Sequence, residues 1–136
     1  MNYYLKNMLK FPKRTVKMLV RILLHRSESS EITVDHLLER MNSNLPPLII
    51  DVRSAPEFNG ADGHIPNAKS IPIGELSSNL EGLHSSKEKE IVTICPGGGM
   101  SLVAVDILVE AGFENAKSLH GGYDLWVENG YPTTTS

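Results

Sequence analysis

The sequence predicts an α/β domain whose mostly parallel sheet is covered by helices on both faces, and three features carry that expectation. Two compact apolar runs, Leu48–Val52 and Ile91–Ile94, are short enough for strands and lack a polar face, as strands buried on both sides require. Helical patterning follows them, most plainly from Met100 to Ala111, where Val103, Ile107 and Leu108 keep the 3.6-residue period. Strand and helix signals alternate along the chain, the pattern of a sheet built from crossover connections.

Taken in order, Ile32–Val34 reads as a short β segment leading into a helix from about Asp35 to Met41. Leu45–Pro47 breaks the chain before the strand Leu48–Val52, and Ala55–Asn59 reads as a helical turn. A Gly/His/Pro-rich loop then leads to a short strand around Ser70–Ile71, and residues 75–86 read as polar and irregular, with room for one helical turn. The strand Ile91–Ile94 ends at Cys95, and Gly112 stops the helix that follows. Lys117–Leu119 is another short strand; Gly121–Gly122 opens a last helix through Asn129, stopped by Gly130 and Pro132.

At 136 residues the chain is long enough for one domain of ordinary size. Its net charge of −3 conceals an asymmetry. Lys6, Lys10, Lys13, Arg14, Lys17, Arg21 and Arg26 all precede the first acidic residue, Glu28, so the rest holds six cationic residues against all sixteen acidic ones, a balance of −10. The expected organisation is a basic arm, residues 1–30, joined at a polar Ser-Glu-Ser-Ser run to an acidic domain, residues 31–136. An acidic domain argues against nucleic-acid binding. The single cysteine excludes an intrachain disulfide and a multi-cysteine zinc site, and fits a reducing, cytoplasmic setting. The five histidines lack metal-ligand spacing, so neither a metal nor a cofactor is called for.

Cys95 stands directly after an apolar strand and before a helix, at the strand end where open α/β sheets place their ligands. The run Pro96-Gly97-Gly98-Gly99 suits neither a helix nor a strand interior, but can curl so that successive N–H groups face inward and cradle an anion. The helix beginning near Met100 adds its positive dipole end. Both features favour a thiolate, the nucleophilic form of cysteine. The alternative, a cysteine serving as a small buried hydrophobe, gives no reason for three adjacent glycines.

Around this loop the sequence resembles the rhodanese family, over about residues 31–133. Leu48-Ile49-Ile50-Asp51-Val52-Arg53, then Glu57-Phe58 and Gly63-His64-Ile65-Pro66-Asn67-Ala68, are similar to the family's first signature, with Ile71-Pro72 at its next short strand. Ile91-Val92-Thr93-Ile94-Cys95 resembles its active-site strand and nucleophile. Ala111-Gly112-Phe113, Leu119-His120-Gly121-Gly122, Trp126 and Gly130-Tyr131-Pro132 resemble its C-terminal signature. The resemblance implies a rhodanese-like three-layer fold with a five-stranded, mostly parallel sheet flanked by helices. It also implies that Cys95 accepts sulfane sulfur, becomes a persulfide, and passes the sulfur to a thiol or cyanide acceptor. A six-residue loop, Cys95 to Met100, matches the sulfur-transferring members, whereas the related phosphatases close a longer loop on an arginine; residues 96–104 contain neither arginine nor lysine. Many rhodanese loops read Cys-x-x-Gly-x-Arg-Ser. Gly98 and Ser101 match, but Met100 stands at the arginine. Without that cation, the backbone amides of Gly97 to Ser101 are left to hold the sulfur's charge. A persulfide or polysulfide donor, small or presented by a protein, then fits better than thiosulfate.

The remaining polar residues read as structural. Asp51 and Arg53 brace the loops above the sheet, His64 hydrogen-bonds backbone, His120 supports the Gly-Gly turn, and Trp126 packs in the core or at its rim. Sulfur transfer to a thiolate needs no strong general base. Two functions stay open: a sulfurtransferase with Cys95 as nucleophile and residues 96–101 as its loop, or a non-enzymatic module that carries sulfur or binds a partner, positioned by its arm.

The arm is patterned too. At about 100° per residue, Lys6, Lys10, Lys13, Lys17 and Arg21 share one face, opposite Leu5, Met8, Leu9, Val16, Leu19, Val20 and Leu23, with Pro12 kinking or restarting the helix. Such an amphipathic helix can pack on the domain or on a second copy, lie on an anionic membrane surface through residues 5–24, or act in targeting or partner docking. No apolar run approaches the roughly 20 residues that span a bilayer.

Overall fold

A computed structural model describes residues 30–136, so the basic arm and its amphipathic pattern lie outside the described residues save for Ser30. The chain order is β1 (Glu31–Ile32), α1 (Val34–Met41), β2 (Leu48–Asp51), α2 (Ala55–Phe58), β3 (Lys69–Ser70), α3 (Ile73–Asn79), a 3-10 helix (Glu81–Ser86), β4 (Ile91–Ile94), α4 (Gly99–Glu110), β5 (Ala116–Leu119) and α5 (Gly122–Glu128). The five strands form one sheet in the order β1-β5-β4-β2-β3, and every pairing is parallel.

β4 occupies the centre, with all four residues buried. Its side chains alternate between the two faces, as strand geometry dictates. Ile91 joins Ile50, Val52, Leu76, Val105, Leu108 and Phe113 on the face covered by α3 and α4. Val92 and Ile94 join Ile49, Leu37, Leu119, Tyr123 and Trp126 on the face covered by α1 and α5. Ring edge contact with Tyr131 and a bond from Nε1 to the Pro132 carbonyl, 2.8 Å, hold the fully buried Trp126.

Local chemistry sets the element ends. Thr33 Oγ1 accepts from the His36 N–H at 3.1 Å, so α1 begins at Val34, a residue the sequence reading assigns to the strand. Ser54 and Glu57 form a reciprocal capping box that starts α2. The largest departure lies in residues 75–86, which fold as the end of α3 and a full 3-10 helix. Ile73, Leu76, Leu80 and Leu83 meet the core at helical spacing, but only about one apolar residue falls in each turn, and the exposed Ser and Glu between them obscure the period. Among the described residues, no helix is long and apolar enough to cross a membrane.

Candidate active site

Cys95 is the first residue after β4, at the carboxyl end of the central strand, and is 1% exposed. Its Sγ accepts a hydrogen bond from the Gly98 N–H at 3.0 Å, and as a thiol donates to Ser101 Oγ at 3.3 Å. Ser101 lies in the first turn of α4 with its hydroxyl 2.6 Å from that of Ser118, on β5. Thr93 Oγ1, on β4, donates to the Ser101 carbonyl at 2.8 Å and pins that turn. All three hydroxyl residues are fully buried.

The loop carbonyls are drawn the other way. Tyr123 N–H donates to Cys95 O at 2.8 Å, and Asp124 N–H to Pro96 O at 3.0 Å, both from the first turn of α5. That approach needs glycine at position 122: φ is +65°, and a Cβ there would lie 2.4 Å from both carbonyl oxygens. Gly98 also has a left-handed φ, +97°, and packs against the backbone of Leu119 and Gly121. Gly97 and Gly99 have neither a left-handed φ nor a neighbour within 4 Å of a built Cβ. Only one of the three loop glycines is therefore demanded by the backbone.

Asp51 and Arg53 form a buried pair, with Nη2–Oδ2 at 2.8 Å and Nε 3.0 Å from Oδ1. Arg53 also donates to the Gly63 carbonyl at 2.9 Å and stacks on the Tyr123 ring, 4.1 Å from its centroid. Burial works against the guanidinium charge, but the hydrogen bonds and charge of Asp51 outweigh it, and its pKa is raised. The Tyr123 hydroxyl donates to Asp62 O at 2.6 Å, and burial pushes its phenol up. His64 donates from Nδ1 to the Phe58 carbonyl at 2.8 Å and stacks on the Phe58 ring. His120 is exposed and pairs with Glu31 at 2.9 Å.

Beside Pro96, a cavity of about 490 Å³ is lined by Arg53, Glu57, Asp62, Tyr123, Asp124 and neighbouring apolar residues. Among the described residues its one cation, Arg53, is already paired with Asp51, which leaves the rim they form acidic. Met100 is 44% exposed at the start of α4, and Pro96 is half-buried.

The rhodanese-like domain model matches residues 33–129. The chain belongs to the rhodanese-like domain family. A rhodanese-related protein from Thermoplasma volcanium superposes with a TM-score of 0.69 at 31% identity, covering 78% of this chain and 98% of that one. Thiosulfate sulfurtransferase 16 of Arabidopsis thaliana is 34% identical over 94 residues, 62% of this chain and 77% of the relative. A maize adenylyltransferase and sulfurtransferase, MOCS3-2, is 34% identical over 104 residues; the match takes in 73% of this chain but spans only 21% of that longer protein. This rhodanese-like chain is a sulfurtransferase of the rhodanese type.

Sequence reasoning anticipates Cys95 and its loop but misses Thr93, Ser118 and Tyr123. A serine at an inward-facing strand position is a signal, since a buried hydroxyl needs a partner; in the short run Ala116–Leu119 it is easily passed over. Thr93 has the shape of valine and blends into its apolar strand.

Proposed function

We propose that Cys95 carries sulfane sulfur as a persulfide and takes it from persulfide or polysulfide donors in preference to thiosulfate. The Cys95 thiolate attacks the outer sulfur of a donor RS–SH. The RS–S bond breaks, RS⁻ leaves with the electron pair, and Cys95–S–SH remains. A thiolate or cyanide acceptor then attacks that outer sulfur and releases Cys95 as the thiolate.

The single observation that carries this preference is the neutrality of the groups touching Sγ, the Gly98 N–H and the Ser101 hydroxyl, in a loop where Met100 supplies no cation. The remaining first-turn amides of α4, as far as Ser101, have no intrahelical acceptor and are suited to a small monoanion. Thiosulfate brings a second negative charge, and the acidic rim of Glu57, Asp62 and Asp124 disfavours it. The Arabidopsis relative is named for thiosulfate; this chain is assigned a different donor on the charge of its own site.

Intact-protein mass spectrometry of wild type and Cys95→Ser tests the assignment after exposure to polysulfide or to thiosulfate, followed by cyanide. One sulfur added to wild type by polysulfide, absent from Cys95→Ser and removed by cyanide, is the expected result. Loading by thiosulfate at an equal or greater rate overturns the donor preference. An adduct on Cys95→Ser overturns the carrier.

A further inference from the structure

We propose that Ser118 is a positioning residue for Cys95 and acts through Ser101, as the far end of a buried hydroxyl relay that reverses direction when the cysteine ionises. The proposal rests on Cys95 being the reactive group, but not on which sulfur donor it uses.

Four contacts close a circuit. Cys95 Sγ lies 3.3 Å from Ser101 Oγ, Ser101 Oγ lies 2.6 Å from Ser118 Oγ, and Ser118 Oγ lies 3.4 Å from the Gly98 carbonyl oxygen. Gly98 returns to the sulfur through its own N–H, at 3.0 Å. Cys95, Gly98, Ser101 and Ser118 are all buried, so water is a poor substitute for any missing link.

Each hydroxyl has one proton to donate, and this fixes the two states. With Cys95 as a thiol, S–H donates to Ser101, Ser101 donates to Ser118, and Ser118 donates to the Gly98 carbonyl. With Cys95 as a thiolate, the sulfur only accepts. Ser101 must then turn its proton to sulfur, and Ser118 must turn its own to Ser101 Oγ. The cysteine proton leaves to solvent; the two hydroxyls keep their protons and only rotate. The link that must reverse between the serines is the shortest of the four. A hydroxyl that donates to an anion while accepting from a second hydroxyl is polarised and donates more strongly. Ser118 supplies that polarisation, and Thr93 holds Ser101 in place by its carbonyl.

The rate of Cys95 alkylation by iodoacetamide, followed against pH on the full chain freed of persulfide, reads this relay without requiring sulfur transfer. At pH 7, Ser118→Ala slows alkylation by about three- to tenfold, the span of one hydrogen bond. The difference narrows as the pH is raised and the thiolate forms in both proteins. Ser101→Ala slows it at least as much, the double variant no more than Ser101→Ala alone, and Ser118→Thr, which keeps the hydroxyl, restores the rate. An unchanged pH profile in Ser118→Ala, with only a lower melting temperature, overturns the proposal. So does a double variant whose slowing multiplies the single effects. Should Ser118→Ala fail to fold, hydroxyl proton resonances of wild type decide the matter. Those of Ser101 and Ser118 shift together as Cys95 titrates, and a Ser118 proton that stays fixed refutes the reversal. Failure of Cys95 to load sulfur would count against the proposed function and leave these measurements standing.

Discussion

Substituting Gly122 by alanine probes how the first turn of α5 holds the sulfur loop. The new Cβ would lie 2.4 Å from the carbonyl oxygens of Cys95 and Pro96, and both are backbone atoms that cannot swing aside. Opening each contact merely to 3.0 Å, the lower limit for real Cβ atoms, requires a backbone shift of about 0.6 Å. The same two oxygens accept the Tyr123 and Asp124 N–H groups at 2.8 and 3.0 Å. Such a shift stretches both bonds towards about 3.5 Å, where little of a hydrogen bond survives. Two bonds at about 0.5–1.5 kcal/mol each, added to about 1–2 kcal/mol for a left-handed alanine, give a loss of roughly 2–5 kcal/mol. Gly130 is the control, because its φ of +71° carries the same backbone strain with nothing within 4 Å of the added atom. Urea denaturation of both variants separates the two contributions. Gly122→Ala should lose at least about 1 kcal/mol more than Gly130→Ala and load sulfur more slowly, while Gly130→Ala loads normally. Equal losses of stability in the two variants would refute the bracing role of this turn.

Three further outcomes follow from the same geometry. Met100→Arg restores a cation beside the loop at a position 44% exposed, so its effect is that of a screened charge: thiosulfate loading should rise about two- to fivefold and lose that gain in high salt, and no gain at low salt would contradict the charge argument. Gly99→Ala, at the open first position of α4, should raise stability by about 0.4–1 kcal/mol in urea titrations, whereas Gly98→Ala, with φ of +97° and backbone 3.3 Å away, should lower it; the reverse order would contradict the assignment of the loop's one required glycine. Burial pushes the Tyr123 phenol up, so the native state keeps a proton that the unfolded chain gives up near about pH 10. That contribution is complete below this pH and is lost as pH rises through the native value, so wild-type stability should fall more steeply above about pH 10 than that of Tyr123→Phe; parallel slopes would contradict it.

How much was legible in the sequence depends on whether a signal was local. β4, Cys95 and α4 stand out because an apolar run, a glycine turn and a helical period follow one another directly, and the structure places them together at the end of the central strand. The rest of the site comes from distant segments. Ser118 is 17 positions from Ser101 and joins it only because β5 pairs in parallel with β4, with Thr93 opposite Ser118 in register. The Asp51–Arg53 pair was visible as neighbours, yet its meeting with Gly63 and the Tyr123 ring required the fold. The triple glycine was legible as a turn but not in its division of labour: Gly98 takes the left-handed turn that lets its N–H meet the sulfur, while Gly97 and Gly99 leave the mouth of the loop open. Two opposed pulls then define the loop. Backbone N–H groups of α5 hold the Cys95 and Pro96 carbonyls outward, and the Gly98 N–H with the Ser101 hydroxyl holds the sulfur inward. With the Cys95 and Pro96 carbonyls engaged by α5, the two groups that touch the sulfur, the Gly98 N–H and the Ser101 hydroxyl, are both neutral, and this is the feature on which the proposed donor preference rests.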